Sequence, residues 1–333
     1  LAALPAGAVL RRPQLLDLYG ERVHSEIDLG LGAMDSGPEV ADVELRAGIC
    51  SSIPDTAPAG AVIAQRFDGP GQPFYTATTS DAGYCLRFHR QFDFQVSPDR
   101  RSVRVDWHPG TELPLAAVYF TGTVMAFLLG LAGRLTLHAS AVTMPAGSTL
   151  LGAFAILGDS GAGKTTLAAL CAAAGASFLT DDLLLVDLDG PDPLVGGAGN
   201  ELRLRPEAEW VLDQFREPPE LRQTADGRTA VRPQTDQIGA GATRLRALVM
   251  PMLAPDGDPV TLTPLSPVDA LFELARAPRL AGWTAECVVG RQFDAMVDLA
   301  ERVPSFVAHI PWDPGARLGV GAALLRLVGD VTG

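Results

Sequence analysis

The sequence predicts an α/β fold: a P-loop core in a larger C-terminal domain over residues 113–333, preceded by a smaller, mainly β domain over residues 1–112. Three observations predict it. Residues Gly158-Asp-Ser-Gly-Ala-Gly-Lys164-Thr165-Thr166 match G-x-x-x-x-G-K-[ST], the phosphate-binding loop, with apolar runs on both sides. A later apolar segment delivers two adjacent carboxylates, Asp181 and Asp182. Ahead of both, short stretches of β-type alternation recur between turn residues.

The N-terminal stretches are Val40–Arg46, Tyr84–His89, Phe92–Val96 and Val103–Trp107, parted by Asp68-Gly-Pro-Gly71, Asp81-Ala-Gly83 and Ser97-Pro-Asp99. They imply a small, mostly antiparallel domain, with a role in substrate recognition as one expectation. Its histidines, His24, His89 and His108, lack metal-ligand spacing. Leu115 to Gly133 follows, 19 residues without a charge, long enough to span a bilayer. Thr121, Gly122, Thr123 and Gly130 dilute it, and a buried helix beneath a sheet is the expected outcome.

Arg134–Thr143 reads as a strand, Met144–Thr149 as a hairpin turn, and Leu150–Leu157 as the strand entering the glycine loop. Leu167–Ala174 is alanine- and leucine-rich and stops at Gly175, as a glycine-capped helix does. Beyond the Asp pair, 191–199 is a Gly/Pro/Asp loop, Glu201–Arg205 alternates like a strand, and Glu207–Phe215 reads as a helix led by Pro206. Residues 217–241 are polar and broken by Pro and Gly, either a flap or an ordinary surface loop. Leu245–Leu253 is an expected strand, Pro267–Arg276 and Gln292–Arg302 helices, Val307–Pro311 a late strand, and Gly319–Val328 a terminal helix.

Chemistry concentrates in the glycine loop. Gly158, Gly161 and Gly163 let backbone N–H groups turn inward around a phosphate, with Asp159, Ser160 and Ala162 between them. Lys164 brings positive charge to the β- and γ-phosphates, Thr165 offers a hydroxyl to Mg²⁺, and Thr166 continues into a helix whose N-terminal end favours the same anion. These features predict binding of a nucleoside triphosphate. In such sites one carboxylate holds Mg²⁺ or its water, and another takes a proton from a hydroxyl nucleophile. Asp181 and Asp182 can divide those roles, with Asp187 a competing metal-side candidate. His138 lies ahead of the loop, where a lone histidine is more often simply packed.

Charge and cysteine usage bound the rest. Net charge is −13, so no basic stripe exists to neutralise a nucleic-acid backbone. The four cysteines, Cys50, Cys85, Cys171 and Cys287, are scattered without a C-x-x-C or Cys/His cluster, consistent with a reduced, cytoplasmic setting. The first residues lack the basic-then-apolar layout of a signal peptide.

The series Leu137-His138-Ala-Ser-Ala-Val142, Leu157–Thr166 and Leu179-Thr-Asp-Asp182 resembles the catalytic domain of the HPr serine kinase/phosphorylase family, over about residues 134–330. Closest in character are HPr kinase-like proteins with a divergent N-terminal domain, some of which phosphorylate a serine of a lasso-peptide precursor. The resemblance implies a core related to phosphoenolpyruvate carboxykinase, ATP and Mg²⁺ as cofactors, and a peptide or protein partner carrying an acceptor serine. Carried over, it makes Lys164 and its loop the triphosphate cradle, Thr165 a metal ligand, Asp181 the base, Asp182 its metal- or hydrogen-bonding partner, and His138 a phosphate-facing or supporting residue. Glu201-Leu-Arg203 is similar to the family's Glu-Ile-Arg, adding Glu201 as a metal-site carboxylate. Arg244 or Arg246 is an expected phosphate-binding cation.

The family's glycine-rich continuation after that motif is replaced by Leu204-Arg205-Pro206, so kinase activity is expected without phosphorolysis. The hairpin after His138 is also longer. The bifunctional relatives form hexamers, and homo-oligomerisation is left open here. A small-molecule kinase and a non-catalytic nucleotide-binding regulator are the alternatives. A transport-type ATPase is disfavoured because no L-S-G-G-Q signature is present.

Overall fold

A computed structural model describes residues 10–31, 40–145, 152–196, 201–232, 242–312 and 319–332. The chain divides into two units, one of residues 1–132 with 280–290, the other of 133–279 with 291–333. The apolar segment after residue 112 thus groups with the first unit.

The first unit is built on one eight-stranded sheet. Its strands are β1 (Leu10–Leu18), β2 (Glu21–Ile27), β3 (Val43–Cys50), β4 (Ala61–Gly69), β5 (Gln72–Ser80), β6 (Gly83–Phe88), β7 (Phe92–Val96) and β8 (Ser102–Trp107), in the order β1-β2-β3-β8-β7-β6-β5-β4. The β2–β3 and β3–β8 pairs are parallel and the rest antiparallel. Alternation shows in β2, where Val23, Ser25 and Ile27 are buried and their neighbours are not.

The apolar stretch forms α1 (Pro114–Tyr119), a π-helical segment (Phe120–Val124) and α2 (Met125–Leu131). Its 18 residues are long and apolar enough for a membrane span, yet 67% of them are buried. Tyr119 stacks on Phe88 with centroids 4.1 Å apart, and Phe127 meets Tyr84 edge-on, so the helices cover an aromatic face of the sheet.

The second unit is mixed α/β. Its main sheet comprises β10 (Ala139–Thr143), β11 (Ala153–Leu157), β12 (Ser177–Thr180), β18 (Thr243–Ala254), β19 (Thr261–Pro264) and β20 (Ser305–Pro311). They pair in the order β12-β10-β11-β18-β20-β19, with β11–β18 and β18–β20 parallel. Strand β11 is buried at every residue, as expected of an uninterrupted apolar run between two neighbours. An antiparallel extension, β9 (Leu135–Leu137), β13 (Leu184–Asp187) and β14 (Leu194–Gly196), joins the start of β18. A separate sheet has the order β15-β17-β16, from β15 (Leu202–Leu204), β16 (Glu220–Gln223) and β17 (Thr229–Arg232).

One core joins α3 (Lys164–Ala173), α6 (Val320–Thr332), β15 and a 3₁₀ helix (Pro206–Gln214) against the main sheet. A second gathers β9, β13, α4 (Pro267–Arg276) and the end of α5 (Glu286–Arg302). Helix α3 is apolar nearly all round because sheet and helix both cover it.

Three sequence expectations change in detail. The expected strand over 134–143 breaks at His138 into β9 and β10, which pair with different partners. The polar stretch 217–241 carries the β16–β17 hairpin, while its residues 233–241 lie outside the described ones. Residues 146–149 of the expected turn are also outside them, although Met144 N–H still reaches the Gly152 carbonyl at 2.9 Å.

Candidate active site

The glycine loop joins the buried end of β11 to α3. Gly161 and Gly163 have φ of +89° and +86°, a left-handed region that suits residues without Cβ, and Gly163 immediately precedes the helix. Space is tight at Gly163: a Cβ there would sit 3.0 Å from the Trp312 ring. Lys164 is buried, and its ammonium donates to the carbonyls of Gly158 at 2.7 Å and Asp159 at 3.0 Å. Burial holds its pKa below the ordinary lysine value, against the opposing pull of Asp181, Asp182 and Asp159.

The Asp pair sits where β12 ends and the chain turns into β13. Leu183 N–H donates to the Asp181 carbonyl at 2.9 Å across Asp182, whose φ is +73°. That is the rarer γ-turn with positive φ, a strained conformation for a residue bearing a Cβ. Thr180 supports it by donating from Oγ1 to the Leu183 carbonyl at 2.7 Å. The turn gives the two carboxylates different donor groups, with Arg203 reaching both.

Asp181 is held by uncharged donors. Ser140 Oγ donates to its Oδ1 at 2.6 Å, Thr165 Oγ1 donates to the same oxygen at 2.9 Å, and the Arg203 amide donates to Oδ2 at 3.1 Å. The Asp181–Thr165 bond ties the strand carrying the carboxylates directly to the glycine loop.

Asp182 is held by cations. Its Oδ2 accepts from Arg203 at 2.5 Å and Arg279 at 2.8 Å. His138 Nδ1 lies 3.1 Å from the Asp182 carbonyl and 3.2 Å from Oδ1. A carbonyl only accepts, so Nδ1 carries the proton. Burial would raise the Asp182 pKa, but the charges of Arg279 and Arg203 and the His138 bond hold it well below the usual carboxylate range.

These groups line one cleft of about 690 Å³ in the second unit. Its polar wall holds the loop from Ser160 to Thr166, His138, Asp181, Asp182, Arg203, Arg205 and Arg228. Trp210, Pro251, Met252, Leu253 and Trp312 form an apolar wall. Asp159 is exposed and pairs with Arg276.

The structure therefore brings together Lys164, Thr165, Thr166, Asp181, Asp182 and His138. It does not bring Glu201 to them. That carboxylate lies between Arg222 at 2.7 Å and Arg232 at 3.1 Å, and it is not among the residues lining the cleft. Arg244 pairs with Asp192 at 2.8 Å, and neither it nor Arg246 lines the cleft. Both sit near the start of β18, whereas residues 251–253 at its other end reach the site. Arg203, Arg205, Arg228 and Arg279 are the cations around the cleft and its carboxylates. The first two were visible as alternate charged residues flanking Leu204, on one side of an expected strand. Arg279 carried no sequence signal.

Among the described residues no group of three or more His, Cys, Asp or Glu side chains is placed to hold a metal ion. The residues fit a single Mg²⁺ bound mainly by phosphate oxygens and water: one hydroxyl, Thr165, lies against one carboxylate, Asp181, beside the glycine loop. Asp182 fits such an ion less well, because two guanidinium groups already occupy it.

No known family model matches the sequence, and no curated protein matches it. Among solved structures the chain is similar to the HPr(Ser) kinase/phosphatase from Coxiella burnetii, at 11% identity and a TM-score of 0.32, over 59% of this chain and 89% of that one. The similarity is distant.

Proposed function

We propose that this chain is an Mg²⁺- and ATP-dependent phosphotransferase that places the γ-phosphoryl group on a serine hydroxyl of a peptide or protein. The observation that carries the reading is the Thr165–Asp181 contact, 2.9 Å, at the mouth of a P-loop sequence folded as strand, glycine loop and helix. It supports the reading by joining a carboxylate to the glycine loop. The ordered motif series around His138, the loop and the Asp pair supports the same reading.

In this reading the loop amides and Lys164 bind and orient the triphosphate. Thr165 would hold Mg²⁺, which would supply neutralising charge on the phosphates. Asp181 has about four lone-pair sites and uses three, so one is left for the proton of the acceptor hydroxyl. The acceptor oxygen bonds to the γ-phosphorus, the bond to ADP breaks, and the hydroxyl proton passes to Asp181. Asp182 positions His138, Arg203 and Arg279 and is a poor base, since its carboxylate is stabilised in the charged form.

The test is mass spectrometry of a serine-containing precursor peptide encoded beside this gene, incubated with Mg·ATP and the full chain. The expected result is phosphate on a serine, with turnover reduced about 10²–10⁴-fold by Asp181→Asn while ATP still binds. Near-normal turnover in Asp181→Asn would remove Asp181 as the base. ATP binding without peptide phosphorylation would favour a small-molecule acceptor or a nucleotide-binding regulator.

A further inference from the structure

Arg205 follows β15 and precedes Pro206, which restricts it to extended backbone; its φ and ψ are −76° and 155°. Its side chain is thereby set on the side of the strand that Arg203 also uses. Arg203 reaches the carboxylates through its amide and its guanidinium. Arg205, two residues further, reaches the glycine loop, and its Nη2 donates to Ser160 Oγ at 3.2 Å. It therefore reaches the glycine loop from the same strand end whose Arg203 holds the Asp pair, within the same cleft.

Among the described residues its charge has no ion-pair partner. Arg203 lies on Asp182, Arg228 on Asp226 at 3.4 Å and Arg279 on Asp182, but among the described residues Arg205 makes no ion pair. Lys164 feels the charge, since Arg205 is one of the groups that lower its pKa. In a chain of net charge −13, a cleft-lining guanidinium that among the described residues bonds a neutral hydroxyl and no carboxylate is suited to an anion that arrives.

We infer that Arg205 binds the terminal phosphoryl group of the nucleoside triphosphate, contributing the charge that distinguishes a triphosphate from a diphosphate in this cleft. This rests on the phosphotransferase reading and adds a residue that reading does not need. The test is calorimetric titration of Mg·ATP and Mg·ADP into the full chain, as wild type, Arg205→Ala and Arg205→Lys. Loss of a charge-assisted phosphate contact predicts an ATP affinity about ten- to a hundredfold lower in Arg205→Ala, with ADP affinity within about twofold of wild type. Arg205→Lys recovers part of the loss. Unchanged ADP binding also reports that the variant is folded. Equal weakening of both nucleotides, or of neither, would overturn the inference while leaving the phosphotransferase reading in place. A wild-type chain that binds neither nucleotide would overturn both.

Discussion

Each unit of the molecule contains a buried carboxylate held by guanidinium, and the two clusters are built differently. In the first, Arg87 and Asp93 face each other across β6 and β7 and join by two bonds, at 2.7 and 2.6 Å. The guanidinium spends its remaining reach on the Thr56 carbonyl at 2.8 Å, and the cluster is one cation to one anion. In the second, Asp182 takes two guanidiniums and an imidazole, on a backbone strained to positive φ, beside a cleft. A closed pair needs only the regular geometry of a hairpin. A cluster with surplus cations and a strained residue is the kind of arrangement that persists when something else binds there.

Removing the acid from each cluster sharpens the contrast. Asp182→Ala removes an anion shared by Arg203 and Arg279, and Asp93→Ala removes the one that faces Arg87. Loss of one partner of a buried pair costs about 3–5 kcal/mol, so both variants should unfold at lower denaturant, Asp182→Ala at the upper end. Only Asp182→Ala should also impair phosphoryl transfer, measured at a temperature where both variants remain folded. Equal effects on transfer would mean that Asp182 contributes stability alone.

A pH series separates the clusters more gently. The folded pKa of Asp182 is depressed below the unfolded value of about 3.9, so its contribution to stability is fully present above that value. It is lost as pH falls through the folded pKa, at a slope of up to about 1.4 kcal/mol per pH unit. The stability gap between wild type and Asp182→Ala should therefore hold constant from pH 7 to 5 and narrow below pH 4, as followed by urea unfolding. A gap that widened on acidification would contradict the cation-held state of this carboxylate.

Much of the central site was legible because its pieces are neighbours in sequence. The strand, loop and helix around Lys164 are continuous, and the Asp pair is adjacent by construction. What surrounds them was harder to read. Arg279 meets Asp182 across 97 residues of chain, and a bridge between Leu137 and Pro278 brings that segment alongside β9. The resemblance of Glu201-Leu-Arg203 to the family's Glu-Ile-Arg made Glu201 an expected metal-site carboxylate, but the β16–β17 hairpin supplies Arg222 and Arg232 to it. That hairpin was hidden in a stretch whose polarity resembled a loop, since all four residues of β16 are exposed. Likewise the break at His138 is invisible in a run of alternating residues; only pairing β9 and β10 with different strands reveals it.

The smallest effect tests whether the glycine loop is shaped by its own backbone or by the wall opposite. Gly161 and Gly163 have nearly the same φ, +89° and +86°, so Ala at either site meets similar left-handed strain, roughly 1–2 kcal/mol. Their surroundings differ: a Cβ at Gly161 finds nothing within 4 Å, whereas at Gly163 it meets the Trp312 ring at 3.0 Å. Backbone strain alone predicts equal losses of stability in Gly161→Ala and Gly163→Ala. The observed packing predicts a further loss at Gly163, together with a shift in tryptophan fluorescence confined to that variant. Trp312→Ala in the Gly163→Ala background should remove the excess and leave the shared strain. If the two alanine variants were instead indistinguishable in both stability and fluorescence, Trp312 would not press on the loop, and the apolar wall would be independent of the phosphate-binding backbone.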